Sequence, residues 1–365
     1  MSKKIKLLIA VGGTGGHVLP GCNLAKNLSK DNFEIKIVTD KRGARFIKSY
    51  QNLNYYILPS KPIIKNNLIK IIFSIFFLFY AILRSIIFLL INRPSLVFGT
   101  GGYASFPLCI AAKLLNIRFI IYENNLVVGK ANKYLIPFAN KIFVSFRDLE
   151  GIEEKYIYKV KEIGNIINTD IINFPKKNLY NKQFLKFKIL VLGGSQAAEI
   201  FANVLPEIFI RCIREKIPIE VYQQCLSTQE QRLSSLYKNA NLVYKIFNFS
   251  HNLIEYYSNA DLAITRAGSS VLAELVNCNV PFISIPLPSS ADNHQLKNAI
   301  YYEKKKLGFL IEEKDIKNNL LTKIKTIYES NSTLKEIKNN QRQFSDKNVY
   351  ENINEELRDI FNDKN

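Results

Sequence analysis

The sequence predicts an α/β protein made of two doubly wound, Rossmann-like domains in tandem, and three observations carry that prediction. Short apolar runs of β type recur along the chain with stretches of helix length between them, the pattern of a parallel sheet covered on both faces. A strand, a glycine loop and a helix follow one another where LLIAV (7–11) meets GGTGGHVLPG (12–21), and again where FKILVL (187–192) meets GGSQAA (193–198). A length of 365 residues exceeds one average core and suits two.

In order, the first half offers KLLIAV (6–11), EIKIVT (34–39), YYIL (55–58), SLVFG (95–99), RFIIY (118–122) and KIFVS (141–145) as strands. The pattern loses its periodicity near 164–186 and restarts with FKILVL, IEVYQQ, LVYKIF, DLAITR, VPFISIP and GFLIEE. The last fifty residues, rich in Lys, Asn and Glu at helical spacing, read as solvated surface helices. In open sheets of this kind ligands bind outside the C-terminal ends of the strands, so two such domains predict a cleft with loops from both.

The composition, 47% hydrophobic and 22% charged, is globular. Fifty Lys and Arg against 31 Asp and Glu leave +19, which favours anionic partners, or a lysine-rich surface kept for solubility. No zinc-finger spacing, RNP-like aromatic cluster or helix-turn-helix accompanies the charge, so nucleic acid is not expected as a partner. Five scattered cysteines without C-x-x-C read as buried apolar residues in a reducing compartment. The first apolar run stops after five residues in glycines, too short for a signal peptide.

One segment breaks the rhythm. IIFSIFFLFYAILRSIIFLLI (71–91) carries a single charge, Arg84, and as a helix is about 31 Å long, enough to cross a bilayer. At 100° per residue Lys70, Ser74, Ala81, Arg84 and Ser85 share a narrow sector, interrupted by Phe77 and Phe88. Such a stripe suits a helix lying in a membrane surface better than one spanning it; an ordinary buried crossover helix is the other alternative. Lys61, Lys65, Lys70 and Arg93 flank the segment and suit anionic headgroups.

Four loops fall at predicted strand ends: GGTGGH, GTGGYASFP (99–107), YENN (122–125) and GGSQAA. One glycine loop is explained as readily by a tight turn as by a ligand, but three with a carboxylate, Glu123, all at strand C-termini, are much harder to assign to packing alone. GGTGGH fits neither G-x-G-x-x-G nor the P-loop ending Gly-Lys-Ser/Thr, so a phosphate or a sugar stays open as its ligand. In DLAITRAGSSVLAE (261–274), Ser269 or Ser270 is expected to cap a helix, with Glu274 one turn in. Glu274 then either complements the helix dipole or accepts hydrogen bonds from a ribose diol. PLPSSADNHQLKNA (286–299) places His294 and Gln295 near the start of a helix on the same side.

GGTGGHVLPG, GTGGYASFP, YENN, GGSQAA, RAGSSVLAE and ADNHQLKNA stand in the order and spacing of the MurG family, and the chain resembles that family from residue 5 to about 345. The resemblance implies a GT-B fold and transfer of N-acetylglucosamine from UDP-N-acetylglucosamine to undecaprenyl-pyrophosphoryl-muramyl pentapeptide with inversion. It also implies a peripheral seat on the cytoplasmic face of the inner membrane, docked on anionic lipid through 71–91. The implied domains are 1–165 for acceptor and membrane, 166–345 for the donor, and a C-terminal helix over 346–365 that packs back on the first. Ser195 and Gln196 would take the donor pyrophosphate, Ser269, Ser270 and Val271 the phosphates at a helix start, Glu274 the ribose, Gln295 the sugar hydroxyls and Ser250 the uracil. Thr14, Gly15, Gly16 and Asn125 would line the donor sugar's side.

Three positions depart from the family pattern. Tyr122 replaces the histidine of H-E-x-N, Asn168 stands where an arginine contacts the nucleotide, and Ala267 precedes Gly268 where serine is usual. Inverting transfer needs a base, and an imidazole titrating near neutrality makes His17 the first candidate, with Glu123 the second. A phosphate-binding or loop-capping His17 remains the alternative. The chain has no Asp-x-Asp, so no metal or other cofactor is expected and helix N-termini are left to hold the departing UDP. The rival functions are another GT-B UDP-sugar transferase acting on a lipid such as diacylglycerol, a UDP-sugar 2-epimerase, and a UDP-sugar-binding protein without turnover.

Overall fold

The computed structural model describes residues 4–30, 33–48, 50, 53–62, 67–175, 186–248, 250 and 253–362, with side chains except those of 195–198. The chain divides into two compact units, Met1–Thr169 with Asp346–Asn365, and Asp170–Ser345.

The first unit holds a seven-stranded sheet of β1 (Ile5–Ala10), β2 (Phe33–Thr39), β3 (Tyr55–Ile57), β4 (Leu96–Gly99), β5 (Phe119–Glu123), β6 (Lys141–Val144) and β7 (Val160–Glu162). Its spatial order is β3-β2-β1-β4-β5-β6-β7, with each neighbouring pair parallel. The second unit repeats the plan with β8 (Phe187–Leu192), β9 (Ile219–Gln224), β10 (Val243–Phe247), β11 (Leu262–Thr265), β12 (Phe282–Ser284) and β13 (Phe309–Leu310), ordered β10-β9-β8-β11-β12-β13. This is the doubly wound order, and it reverses between β1 and β4 and between β8 and β11. Helices on both faces bury the central strands from end to end, which is why β4, β5 and β11 read as unbroken apolar runs. The short edge strand β7 escapes the sequence reading because Val-Lys-Glu carries one apolar residue and stays half open.

The last helix, Val349–Asn362, belongs to the first unit. Glu356 pairs there with Lys141 and Lys161, and the Tyr350 hydroxyl donates to the Ile167 carbonyl at 2.6 Å.

The apolar segment forms a helix over Leu68–Asn92, entered through Asn67, whose side chain accepts from the Ile69 amide, and ended by Arg93 in the left-handed region at φ 44°. It is the crossover from β3 to β4, yet Phe73, Phe76, Phe79, Leu83, Leu90 and Ile91 are exposed, which rules out an ordinary buried crossover. The stripe built on Ala81 and Ser85 is the inward one: Ala81, Ser85, Phe88 and Leu89 are buried, and the Ser85 hydroxyl is satisfied by the Ala81 carbonyl at 2.8 Å. Small side chains let the helix approach its neighbour Gly102–Leu114, so the helix turns its less apolar side to the protein and its most apolar side outward. Lys61, Lys70, Arg84 and Arg93 are exposed around it, and Lys65 lies outside the described residues.

Candidate active site

In the first unit the site forms where the sheet order reverses, from the loops after β1, β4 and β5. Gly12 is pressed against the β4 loop so closely that an added Cβ would stand 2.2 Å from that of Ala104. Gly102, at φ +78°, has equally little room, since its Cβ would meet the Gly12 carbonyl at 2.8 Å. The two glycine loops are therefore one packed unit. His17, in the first turn of the helix Gly15–Leu28, lies across it: Nδ1 is 2.9 Å from the Thr100 carbonyl, and the Thr100 hydroxyl donates to the His17 carbonyl at 2.8 Å. A carbonyl only accepts, so Nδ1 donates there, and in the neutral ring the basic lone pair falls on Nε2.

Pro20 lies inside the same helix and has no N–H for the Gly16 carbonyl, which instead accepts from Asn124 Nδ2 at 3.0 Å. That bond joins the first glycine loop to the loop after β5. Glu123, buried at the end of β5, orders the latter loop with both oxygens. Oε1 accepts from the Asn125 amide (3.2 Å) and Asn125 Nδ2 (3.0 Å), while Oε2 accepts from the Gly129 amide (2.8 Å) and Asn132 Nδ2 (3.0 Å). Four donors occupy the positions a proton-abstracting carboxylate needs, so this geometry suits an organising role for Glu123. Tyr122 points the other way, into the core, where its hydroxyl meets Ser145 Oγ at 2.8 Å and accepts from the Ile166 amide at 3.0 Å. Burial pushes its phenol above the usual range, and the side chain anchors the segment leading to Asn168.

Thr14 and Gly16 are exposed at the loop tip and Gly15 is half-buried. Beside them stands a pair the sequence reading missed. Asp40, buried at the end of β2, accepts from the Gly13 amide at 3.3 Å and the Gly43 amide at 2.7 Å, and its other oxygen holds Arg42 Nε and Nη2 at 3.1 and 3.0 Å. Arg42 is half-exposed, and its guanidinium would lie 3.8 Å from a Cβ placed on Gly13. A fixed cation thus flanks the glycine loop.

In the second unit, Gly193 caps the helix Gly194–Arg214, so Ser195 and Gln196 are helical residues rather than loop residues; their side chains lie outside the described residues. The Gly194 amide, at φ +63°, donates to Gln224 Oε1 at 3.3 Å. After β11 the cap of the helix Ser269–Asn277 is Gly268, with no side-chain cap; Ser269, Ser270 and Val271 are its first turn, which corrects the expectation that a serine caps it. Glu274 sits in the second turn, beyond the reach of the N-terminal dipole, which removes the dipole explanation for it. The Tyr257 hydroxyl donates to Glu274 Oε2 at 2.6 Å, and burial pushes the Glu274 carboxyl up to about 7 against that opposing bond.

Arg266 is buried and donates to the Ile285 and Pro286 carbonyls at 3.2 and 3.1 Å, pairs with Glu313 and stacks on Phe201. It ties the β11 loop to the β12 loop. There Gln295 turns back, its Oε1 accepting from the Leu287 amide at 3.0 Å, and His294 Nδ1 meets the Ala291 carbonyl at 2.7 Å. Asp292 and Asn293 are both left-handed just before the helix His294–Lys304, and Asn298 reaches back to the Ala267 carbonyl at 3.1 Å. The loops after β11 and β12 are thereby tied together at one edge of the second sheet. Ser250 lies between β10 and the helix Ile254–Asn259, and Asn168 lies in the first unit just before the chain passes to the second.

The glycosyltransferase family 28 N-terminal domain matches residues 7–144, and the glycosyltransferase family 28 C-terminal domain matches residues 188–353. A UDP-N-acetylglucosamine–N-acetylmuramyl-(pentapeptide) pyrophosphoryl-undecaprenol N-acetylglucosamine transferase of Pelagibacter ubique (strain HTCC1062) is 35% identical over 364 residues, covering 100% of this chain and 100% of that protein. The protein of the same name from Rickettsia bellii (strain RML369-C) is 32% identical over 320 residues, 87% of this chain and 88% of its own. Among solved structures, Acinetobacter baumannii MurG aligns with a TM-score of 0.77 at 24% identity, over 96% of this chain and 98% of that one. A putative UDP-N-acetylglucosamine 2-epimerase from Listeria monocytogenes aligns with a TM-score of 0.68 at 14% identity, over 99% and 98%. At these identities the two structures speak to the fold, and the fold alone does not separate transferase from epimerase.

Proposed function

The chain belongs to the MurG family of glycosyltransferase family 28, and from that membership we propose that it transfers N-acetylglucosamine from UDP-N-acetylglucosamine to N-acetylmuramyl-(pentapeptide) pyrophosphoryl-undecaprenol. The observation that carries the chemistry is His17, held by the Thr100 carbonyl with its lone pair on Nε2 at the meeting of two glycine loops. In this reading Nε2 takes the proton from the acceptor hydroxyl as its oxygen attacks the anomeric carbon. The bond to the UDP oxygen breaks with its electron pair, and a single displacement inverts the centre. Backbone amides at the start of the helix Ser269–Asn277 face the leaving diphosphate, and Glu274 accepts the ribose hydroxyls. The glycine loops with Arg42 take the acceptor's pyrophosphate, an assignment supported by the fixed guanidinium beside Gly13. Glu123, with Asn124 and Asn132, keeps Asn125 in place for the sugar.

The same proposal seats the enzyme on the cytoplasmic face of the inner membrane through the outward face of Leu68–Asn92, ringed by Lys61, Lys70 and Arg93. Its support is the inverted polarity of that helix. The helix links two strands of one sheet, so crossing the bilayer would divide the unit.

The test is incubation with labelled UDP-N-acetylglucosamine and a short-chain lipid-linked muramyl pentapeptide, followed by analysis for the lipid-linked disaccharide. UDP release only with a diacylglycerol acceptor overturns the assignment. His17→Ala should lower turnover by about 10²–10⁴ while UDP affinity stays within about twofold; unchanged turnover removes His17 from the mechanism.

A further inference from the structure

Glu274 is partly buried, and no cation pairs with it among the described residues. Its one side-chain partner is the Tyr257 hydroxyl, from the helix Ile254–Asn259, at 2.6 Å on Oε2. Tyr257 is itself buried, and burial together with Glu274 holds its phenol well above the usual range, so it remains a donor. Cys278, just past the end of Glu274's helix, is a further titratable neighbour. Lys338, from the helix Asn331–Gln343 packed against that helix, lines a cavity of about 90 Å³ with Tyr257 and Cys278, and Lys188 and Asp261 line it beside Tyr257. The carboxylate that the proposed function gives to the ribose therefore has a neutral phenol in place of a counter-ion.

We propose that Tyr257 is a positioning residue for donor capture: its hydroxyl fixes Oε2, presents the remaining acceptor sites of Glu274 to the ribose diol, and holds the carboxylate in the ionised form that the diol requires. The inference rests on the donor-site reading. Burial raises the carboxyl to about 7, so the unliganded site carries a proton through much of the range below neutrality. A diol donates two hydrogen bonds and favours the carboxylate, so the donor binds and the Glu274 proton passes to solvent. The linkage has one direction: capture is complete above pH 7 and weakens as pH falls through 7, approaching tenfold per unit, until the carboxyl of the bound state also protonates. Loss of the Tyr257 hydroxyl removes the bond that favours ionisation, which moves the midpoint upward.

The experiment measures the Kd of UDP-N-acetylglucosamine calorimetrically from pH 5 to 9; its diphosphate diester does not titrate there. The wild-type chain should give a midpoint near 7 and Glu274→Gln a flat profile. Tyr257→Phe should move the midpoint up by about one unit, weaken binding about fivefold at pH 7, and converge on the wild type near pH 9. That convergence also demonstrates an intact site. A flat wild-type profile, an unmoved midpoint in Tyr257→Phe, or a loss equal at every pH overturns the proposal, the last by reducing Tyr257 to packing. Failure of the wild-type chain to bind the sugar nucleotide at any pH overturns the donor-site reading beneath it as well.

Discussion

Replacing Phe73, Phe76 and Phe79 together by serine should detach the protein from lipid without unfolding it. These side chains are 70%, 69% and 67% exposed on the outward face of Leu68–Asn92, so they contribute little to the core. A phenylalanine side chain offers about 200 Å² to bury, of which about two-thirds is exposed here. At about 25 cal/mol per Å², full immersion of each is worth about 3.3 kcal/mol. A helix lying in the interface realises about half of that, so the triple variant should lose about 5 kcal/mol, or more than 10³ in partition constant. Sedimentation with vesicles containing anionic lipid at 0.15 M salt reads the loss directly. Turnover on a short-chain acceptor in detergent should stay within about twofold, because the substitutions stand on a different surface from the packed glycine loops. Raising the salt should weaken wild-type binding less than the triple substitution does, since Lys61, Lys70 and Arg93 add about 1 kcal/mol each near the headgroups. An unchanged partition constant in the triple variant, or binding abolished by salt alone, would show that the apolar face is not what meets the bilayer.

Two predictions concern the site of the first unit. Glu123→Gln sets an amide donor against at least one of the Asn125, Gly129 and Asn132 donors, and should lower stability by about 1–3 kcal/mol in denaturant titration; loss of turnover at full stability would instead return Glu123 to the chemistry. Gly12→Ala puts a Cβ 2.2 Å from Ala104 and should destabilise by about 1–3 kcal/mol while raising the acceptor KM, since the loops must part; a variant as stable as the parent would contradict the close packing of the two loops.

The sheets were readable because strands buried on both faces have to be written as apolar runs, and β7 was not because an edge strand has no such obligation. Glycine loops mark strand ends, which is why His17, Glu123 and Asn125 could be nominated from the sequence. Asp40, Asn124 and Tyr257 could not, because each meets a partner fixed only by the fold: Asp40 the Gly13 amide across 27 residues, Asn124 the Gly16 carbonyl across 108, Tyr257 the Glu274 carboxylate across 17; Arg42 enters only through Asp40. The glycines before Ser195 and Gln196 suggest a loop, whereas the helix already begins at Gly194. For the apolar helix, composition disclosed a membrane-compatible surface but periodicity could not say which stripe faced the protein. Ala81 and Ser85 look polar-facing by sequence, yet their small volume and internal hydrogen bond suit the packed side.

The two units reach different chemistry from one strand order. In the first, the loops at the reversal point are locked by missing atoms: no Cβ on Gly12 and Gly102, and no N–H on Pro20, which frees the Gly16 carbonyl for Asn124. Those absences bring the backbone close and leave a single imidazole as the basic group between the loops. In the second, the equivalent edge is held by side chains, with Arg266 gripping two carbonyls and Glu313, and Asn298 reaching Ala267, while the carboxylate behind the helix start has a phenol for its partner. A backbone-built seat fits a diphosphate, whose oxygens accept from amides and a guanidinium, and a carboxylate seat fits a diol, which donates. In the proposed assignment both edges offer backbone donors to a diphosphate, and what separates the second is the carboxylate of Glu274, an acceptor that suits a ribose diol and that would repel a phosphate set in its place.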